Sequence, residues 1–406
     1  MDWNPPRNII EAAEAKRARL HGTTKTLAEL AREVLEAETE KARELVRKPL
    51  PSPAPEPPTH GAEDGGSGTL ELEHFTFYGV QAWAGMFTPT GGGRLRIAGE
   101  ARAADVGIVL PSGSEEVRVR FYRETLEAWA ARSVLEQAPG AVLLWDGGLT
   151  PLIAGRKPWS ERRATMRELA ERAASELGAQ EDGLPGLVGE YHARRPLGVQ
   201  DLLEDYGLIR PGTDHLWVSY LEYLEKLEAV RLLLQTAFRQ GGAVVFVTKT
   251  SRSKSLLDGV MPDVYYLARA EPQEPFYTAP RLRCSALDTR SLGGRGAERL
   301  VPEEYRGFYA GEVAVIDIYA RLQPGASILR LEMALPSREA CARGEKWLEE
   351  EAQRLISRLL GSPHRRGYPY ALLVAHREAH LPRDQLVRAA RILGLSGERS
   401  GRSMLE

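Results

Sequence analysis

The chain is poor in cysteine: among 406 residues there are 2, Cys284 and Cys341, too few for a disulfide framework to hold the fold together. It has no excess of charge either. Lys+Arg 54 against Asp+Glu 56 leave a formal net charge of -2, so binding to a polyanion would have to come from local basic segments. No apolar run near the N-terminus suggests a leader or a membrane span, and a cytoplasmic protein is expected. The glycine clusters Gly91 to Gly93 and Gly293-Gly294 lack the strand-to-helix setting of a nucleotide loop, which argues against ATP binding by this chain. Core-forming residues are plentiful. A hydrophobic fraction of 43% supports one large domain with insertions, or two domains.

Residues 1–48 read as a helical N-terminal segment. Leu27, Ala31, Val34, Ala42 and Leu45 fall near one face, Thr26 and Glu29 form a capping box, and the narrow stripe calls for a partner surface. Residues 49–68, Pro-rich and then Gly-rich, read as a linker, so the main domain is expected at 69–395 with a polar tail at 396–406. Within it, Glu73 to Trp83, Arg94 to Leu110 and Val117 to Phe121 read as three antiparallel strands. A helix at Arg123 to Gln137 and a buried strand, Ala141 to Trp145, ending in Asp146 follow. That order is the one found in ribonuclease H-like folds. The expectation is therefore an α/β protein with a ribonuclease H-like mixed sheet and a helical insertion at about 155–240. Further strands are expected at Ala243 to Val247, Val313 to Leu322 and Ser327 to Met333, with helices at Glu339 to Leu360 and after Pro369.

Asp146 ends an apolar strand and precedes two glycines, which let backbone or ligand come close; local sequence equally allows a turn-initiating aspartate. In Gly367-Tyr368-Pro369-Tyr370-Ala371-Leu372-Leu373-Val374-Ala375-His376, Tyr368 and His376 can point at one site if the run after Pro369 is helical, or can both be satisfied core residues. The spacing His376, Glu378, His380 differs from that of zinc proteases, since Arg377 stands where their glutamate must be. Lys249, Arg252 and Lys254 follow a strand in Lys-Thr-Ser-Arg-Ser-Lys, as a phosphate-binding loop or a solvated one would.

The Tyr368 to His376 run, the Leu144-Trp145-Asp146-Gly147 element and the Lys249 to Ser253 loop resemble the NurA family, archaeal and bacterial nucleases that act with a HerA-type DNA-translocating ATPase in double-strand-break end processing. The resemblance runs in patches from about Glu73 to Ala379. It implies a Mn²⁺- or Mg²⁺-dependent endonuclease and 5′ to 3′ exonuclease, a homodimer seated on a hexameric ATPase, with DNA as substrate. It implies Asp146 and His376 as metal ligands, Tyr368 as a catalytic residue, Lys249, Arg252 and Lys254 as DNA contacts, and a metal-binding glutamate on the preceding helix, Glu127 being preferred to Glu124. The family's first ligand, an Asp followed by Gly after an apolar residue and Val, is matched to Val80 through Gly85, which puts Ala84 in the ligand position. On that register the chain lacks one carboxylate. A non-catalytic DNA-guiding or regulatory subunit then becomes the alternative, with a ribonuclease H-like hydrolase of RNA or branched DNA as a further one.

Overall fold

The computed structural model describes residues 35–55, 59–90, 94–154, 215–287 and 303–395. After a helix at 35–45 (α1) come β1 (Val46–Arg47), β2 (His60–Glu71), β3 (Thr76–Pro89), β4 (Leu95–Ile108), α2 (Glu115–Leu135), β5 (Val142–Asp146), α3 (Leu149–Ala154), α4 (His215–Arg239) and β6 (Ala243–Thr248). The second half contains α5 (Asp263–Ala270), β7 (Phe276–Thr278), β8 (Arg281–Arg283), α6 (Glu303–Gly307), β9 (Val313–Arg321), β10 (Leu329–Pro336), α7 (Ser337–Ala340), α8 (Glu345–Gly361), β11 (His364–Arg365), β12 (Tyr368–Pro369), α9 (Tyr370–Glu378) and α10 (Arg383–Ile392).

Among the described residues, ten strands form one sheet in the order β1-β7-β9-β10-β6-β5-β2-β3-β4, with β8 beside β9. β2, β3 and β4 are antiparallel, whereas β5 runs parallel to β2 and β6 parallel to β5. This is the ribonuclease H-like core, extended by the antiparallel β10 and β9. Alternation along each strand sends Val80, Ala82, Ala84 and Met86 of β3 into one core with α2 and α4. It sends Trp83 and Phe87 into a second core with α8 and α9 on the other face. The sheet is thus covered on both sides, which is why β5 and β6 are almost continuously apolar.

Three sequence expectations are corrected. Residues 60–68 are not linker but the first part of β2, the central strand that pairs with both β3 and β5. Their glycines suit close packing against side chains and backbone above and below, as the site shows. Val117 to Phe121 is not a strand but lies in α2, where Arg118, 1% exposed, forms a two-pronged ion pair with buried Glu222 of α4. A helix places Val119, Tyr122 and Leu126 on one buried side, which a strand of that segment could not. The three antiparallel strands are therefore present, but shifted one element toward the N-terminus. Third, α4 is no peripheral insertion, because most of its length is buried in the core shared with α2. The expected helix at Ser160 to Ser175 and the tail at 396–406 lie outside the described residues.

The described part of the N-terminal helix packs on its own chain: Ala42 is fully buried with Tyr266, Leu267, Phe276 and Tyr319. Its partner surface is in cis. The two cysteines are joined, Cys284 to Cys341, linking the segment after β8 to the end of α7 by a single bond rather than a framework. No helix among the described residues is long and apolar enough to cross a membrane.

Candidate metal centre

The parallel neighbours β2 and β5 deliver two aspartates to one place. Glu63 is level with Trp145, so Asp64 and Asp146 come next on adjacent strands. Both continue the row begun by Ala62 and Leu144, which faces α8 and α9. From that face α9 brings His376, whose Nδ1 lies 2.6 Å from Asp64 Oδ2. Asp64, Asp146 and His376 each offer one ligand atom, and these atoms all lie within 4.8 Å of one another.

Two glycines make this convergence possible. A Cβ on Gly65 would stand 2.1 Å from Glu127 Oε1, and one on Gly66 would stand 2.1 Å from the Ala379 carbonyl oxygen. Gly65 thereby admits the Glu127 carboxylate from the α2 side, while Gly66 admits the end of α9 from the other. Gln81 of β3 secures that end by donating from Nε2 to the carbonyls of Ala379 (3.0 Å) and His380 (2.8 Å). Arg102 of β4 adds an ion pair to Glu378 at 3.1 Å.

The carboxylates crowd one another. Burial, with the nearby charges of Glu127, Asp64 and Asp146 adding to it, holds the fully buried Glu63 carboxyl well above the usual range. Burial likewise raises Asp64, with Asp146 adding to it and His376 opposing it. Glu127 is pushed up to about 8 by burial, against which Arg123, 3.0 Å away, pulls. Few cations answer them: Arg123 on the helix side, and Lys249, whose Nζ donates to Asp146 Oδ2 at 2.9 Å and sits 4.2 Å from the centre of the Tyr368 ring. Tyr368 is raised as well, by burial and then by the Asp146 charge, so it stands beside the aspartates as a neutral phenol. Such a set fits a divalent cation. Hard carboxylate oxygens with one imidazole nitrogen suit Mn²⁺, and a positive ion would relieve the repulsion that burial has built.

Of the expected residues, Asp146 and His376 come together with Asp64, Tyr368 and Lys249 border Asp146, and Glu127 feels the charges of both aspartates from the α2 side without joining the cluster of ligand atoms. Glu124 is turned away, its carboxylate 3.2 Å from buried Lys226 of α4. Arg252 and Lys254 lie exposed on the loop after β6, Lys254 donating to the Val260 carbonyl. Ala84 is not in the ligand position. It is fully buried on β3, paired with Glu63 and packed in the α2-side core, so its methyl is a packing group. The aspartate followed by glycine stands one strand earlier, in Ala62-Glu63-Asp64-Gly65, and the chain does not lack that carboxylate. Asp64 escaped the sequence reading because Gly65, Gly66 and Gly68 gave its strand the composition of a linker. The available signal was the repeated triplet, Asp-Gly-Gly at 64 and again at 146.

Fold and centre together define an α/β protein of ribonuclease H-like architecture with carboxylates and a histidine gathered across the two central strands. The NurA domain family matches residues 59–381, and the chain belongs to that family. The fold is similar to that of the NurA nuclease from Sulfolobus solfataricus, with a TM-score of 0.60, 16% identity, and coverage of 92% of this chain and 95% of that one. It is also similar to NurA bound to dAMP and manganese, with a TM-score of 0.57, 16% identity, and coverage of 90% and 94%. Among curated proteins, no sequence matches.

Proposed function

We propose that this chain is a metal-dependent DNA nuclease whose centre is Asp64, Asp146 and His376, with Glu127 and Tyr368 completing it. The observation that carries the reading is the convergence of three ligand atoms within 4.8 Å beneath a basic loop. A Mn²⁺ or Mg²⁺ ion held there would neutralise the scissile phosphate and lower the pKa of a bound water. The chain's own residues do the rest. Asp64 and Asp146 fix the ligand positions from two rigid strands, and His376 orients on Asp64. Glu127 adds charge through the gap at Gly65. Tyr368, neutral and buried, is placed to hold a phosphate oxygen, while Lys249, Arg252 and Lys254 hold the DNA backbone without reading sequence. NurA bound to dAMP and manganese supports the choice of ion and of a deoxynucleotide substrate. Endonuclease and 5′ to 3′ exonuclease action, a homodimer and a hexameric HerA-type ATPase partner complete the proposal, from family membership. The non-catalytic alternative rested on Ala84, and the place of Asp64 beside Asp146 and His376 supports the catalytic reading over it.

The test is cleavage of labelled single-stranded DNA, duplex DNA and RNA with and without Mn²⁺, by the wild-type chain and by Asp64→Asn and Asp146→Asn. Metal-dependent loss of DNA in the wild type and a drop of orders of magnitude in each variant are expected. Unimpaired cleavage by Asp64→Asn would refute the ligand set, and preferential cleavage of RNA would favour a different hydrolase.

A further inference from the structure

Asp146 is a useful ligand only if the turn that carries it is fixed, and the turn Asp146-Gly147-Gly148-Leu149-Thr150 is held from both ends. On the β2 side, the Asp146 N–H donates to Glu63 Oε1 at 3.2 Å, and on the β6 side the Gly147 N–H donates to the Val247 carbonyl at 3.1 Å. Beyond β6 one residue takes the rest of the load. Glu332 of β10, with no exposed surface, accepts the Leu149 N–H at Oε2 (3.1 Å) and the Thr150 hydroxyl at Oε1 (3.2 Å). Gly148 passes so close that a Cβ there would lie 3.0 Å from Glu332 Oε2.

A buried carboxylate this far from water must be compensated, and two arginines do so. Arg283 of β8 reaches Glu332 Oε1 at 2.8 Å and Arg330 at 3.2 Å. Arg330 also pairs with Asp317 through two bonds of 3.0 and 2.6 Å. Two guanidinium groups and two carboxylates balance, so Glu332 is a compensated buried charge rather than a stray one. It lies across the sheet from Glu63, in register with Asp317 on β9 and Phe246 on β6.

We propose that Glu332, fixed by Arg283 and Arg330, is a positioning residue for Asp146: it locks the turn after β5 through the Leu149 N–H and the Thr150 hydroxyl and so sets the cation affinity of the centre. The proposal rests on the metal-centre reading above. Outer partners that orient a ligand typically contribute 10- to 100-fold in metal affinity. Glu332→Gln keeps the shape but removes the charge and one of two acceptors. Thr150→Val removes a single hydrogen bond to the same carboxylate with little change of volume.

The experiment is titration of the DNA-free protein with Mn²⁺, reading free ion by electron paramagnetic resonance, together with thermal melting of each variant. Glu332→Gln is expected to weaken Mn²⁺ binding by about 10- to 100-fold and Thr150→Val by a few-fold in the same direction. In cleavage assays the Mn²⁺ concentration for half-maximal rate should rise in step, with the KM for DNA unchanged. If Glu332→Gln does not fold, Thr150→Val carries the test alone. Lower melting temperatures with wild-type Mn²⁺ affinity would make the network merely structural and overturn the proposal. Absence of Mn²⁺ binding by the wild-type chain would refute the metal centre itself, and this proposal with it.

Discussion

The triplet Asp-Gly-Gly occurs at Asp64 and at Asp146, and the two copies use their glycines in different ways. In the first, the glycines sit inside a 12-residue strand, and each missing side chain opens one face of the sheet: Gly65 to Glu127, Gly66 to the end of α9. In the second, they end a strand. Gly147 takes a φ of +139°, a conformation open to glycine, and Gly148 lets the chain turn against Glu332 into α3. One triplet cuts a gap through a strand and the other builds a turn, yet both deliver an aspartate to the same place because their strands are parallel neighbours.

Alanine at the glycines breaks the comparison most directly. Gly66→Ala would drive a methyl into the Ala379 carbonyl, and backbone must move, so destabilisation at or above the top of the roughly 1–3 kcal/mol range for overpacking is expected. Gly65→Ala displaces the Glu127 side chain instead, and Gly148→Ala, whose nearest neighbour is 3.0 Å away, should cost least. Denaturant melts of the three variants check the order. Equal midpoints for Gly66→Ala and wild type would mean that the first triplet is not packed on both faces.

Ala84→Asp should rival Gly66→Ala in size. It would bury a carboxylate beside Glu63, itself already disfavoured as an anion, and a cost of about 3–5 kcal/mol is expected for an uncompensated buried charge. No gain of Mn²⁺-dependent cleavage should accompany it, since Asp64 already supplies the first-strand ligand. A gain in cleavage would restore the register that places the ligand on β3.

Much of this was legible in the sequence. The helix α2 and the strand β5 ending in Asp146 were readable because they are local patterns, whereas the three strands before them were expected one element too late. Tyr368, His376 and Asp146 stood out as motif residues, whereas Glu127 was a choice between two glutamates on one helix. What was not legible depended on contacts distant in sequence. The glycines of β2 look like linker until α2 and α9 are placed against them. Arg118 looks like the polar member of an alternating strand until Glu222 of α4 is seen to pair with it. The Arg330-Leu331-Glu332 strand resembled the family too, but no role could be given to Glu332, because its partners Leu149 and Thr150 lie on a separate strand-to-helix turn.

The carboxylates of the first triplet and its surroundings sharpen the comparison through pH. Glu127 at about 8, with Glu63 and Asp64 also raised, means that the metal-free native state holds more protons than the unfolded chain between the ordinary carboxylate range and about pH 8. Stability contributed by these groups is therefore full at low pH and lost as pH rises through that window. Urea melts in the presence of chelator should show a falling midpoint from about pH 5 to about pH 8. Mn²⁺ should flatten the fall, and so should Glu127→Gln in part. A midpoint independent of pH in the metal-free protein would contradict the crowding of these groups.

The smallest expected effect separates the attendants of the two aspartates. Asp64 is attended by His376, and Asp146 by Lys249 from the loop that also carries Arg252. Arg252 is exposed, so its loss should remove a phosphate contact and nothing else: the slope of log affinity for duplex DNA against log salt should flatten by about 1, with Mn²⁺ binding unchanged. Lys249 has two tasks. Its ammonium balances Asp146 in the free protein and is placed to meet the DNA backbone when substrate arrives. Lys249→Ala should therefore flatten the salt slope by a similar amount and also tighten Mn²⁺ binding, because a cation competing for Asp146 is gone. Fluorescence anisotropy with a labelled duplex across a salt series, in cleavage-deficient Asp64→Asn, measures the first effect. Mn²⁺ titration in the otherwise wild-type chain measures the second. Unchanged slopes in both variants would leave the loop a solvated surface. A flattened slope with no change in Mn²⁺ affinity for Lys249→Ala would show that the Asp146 ion pair yields to the metal at no cost, and that the second triplet is attended by the metal alone.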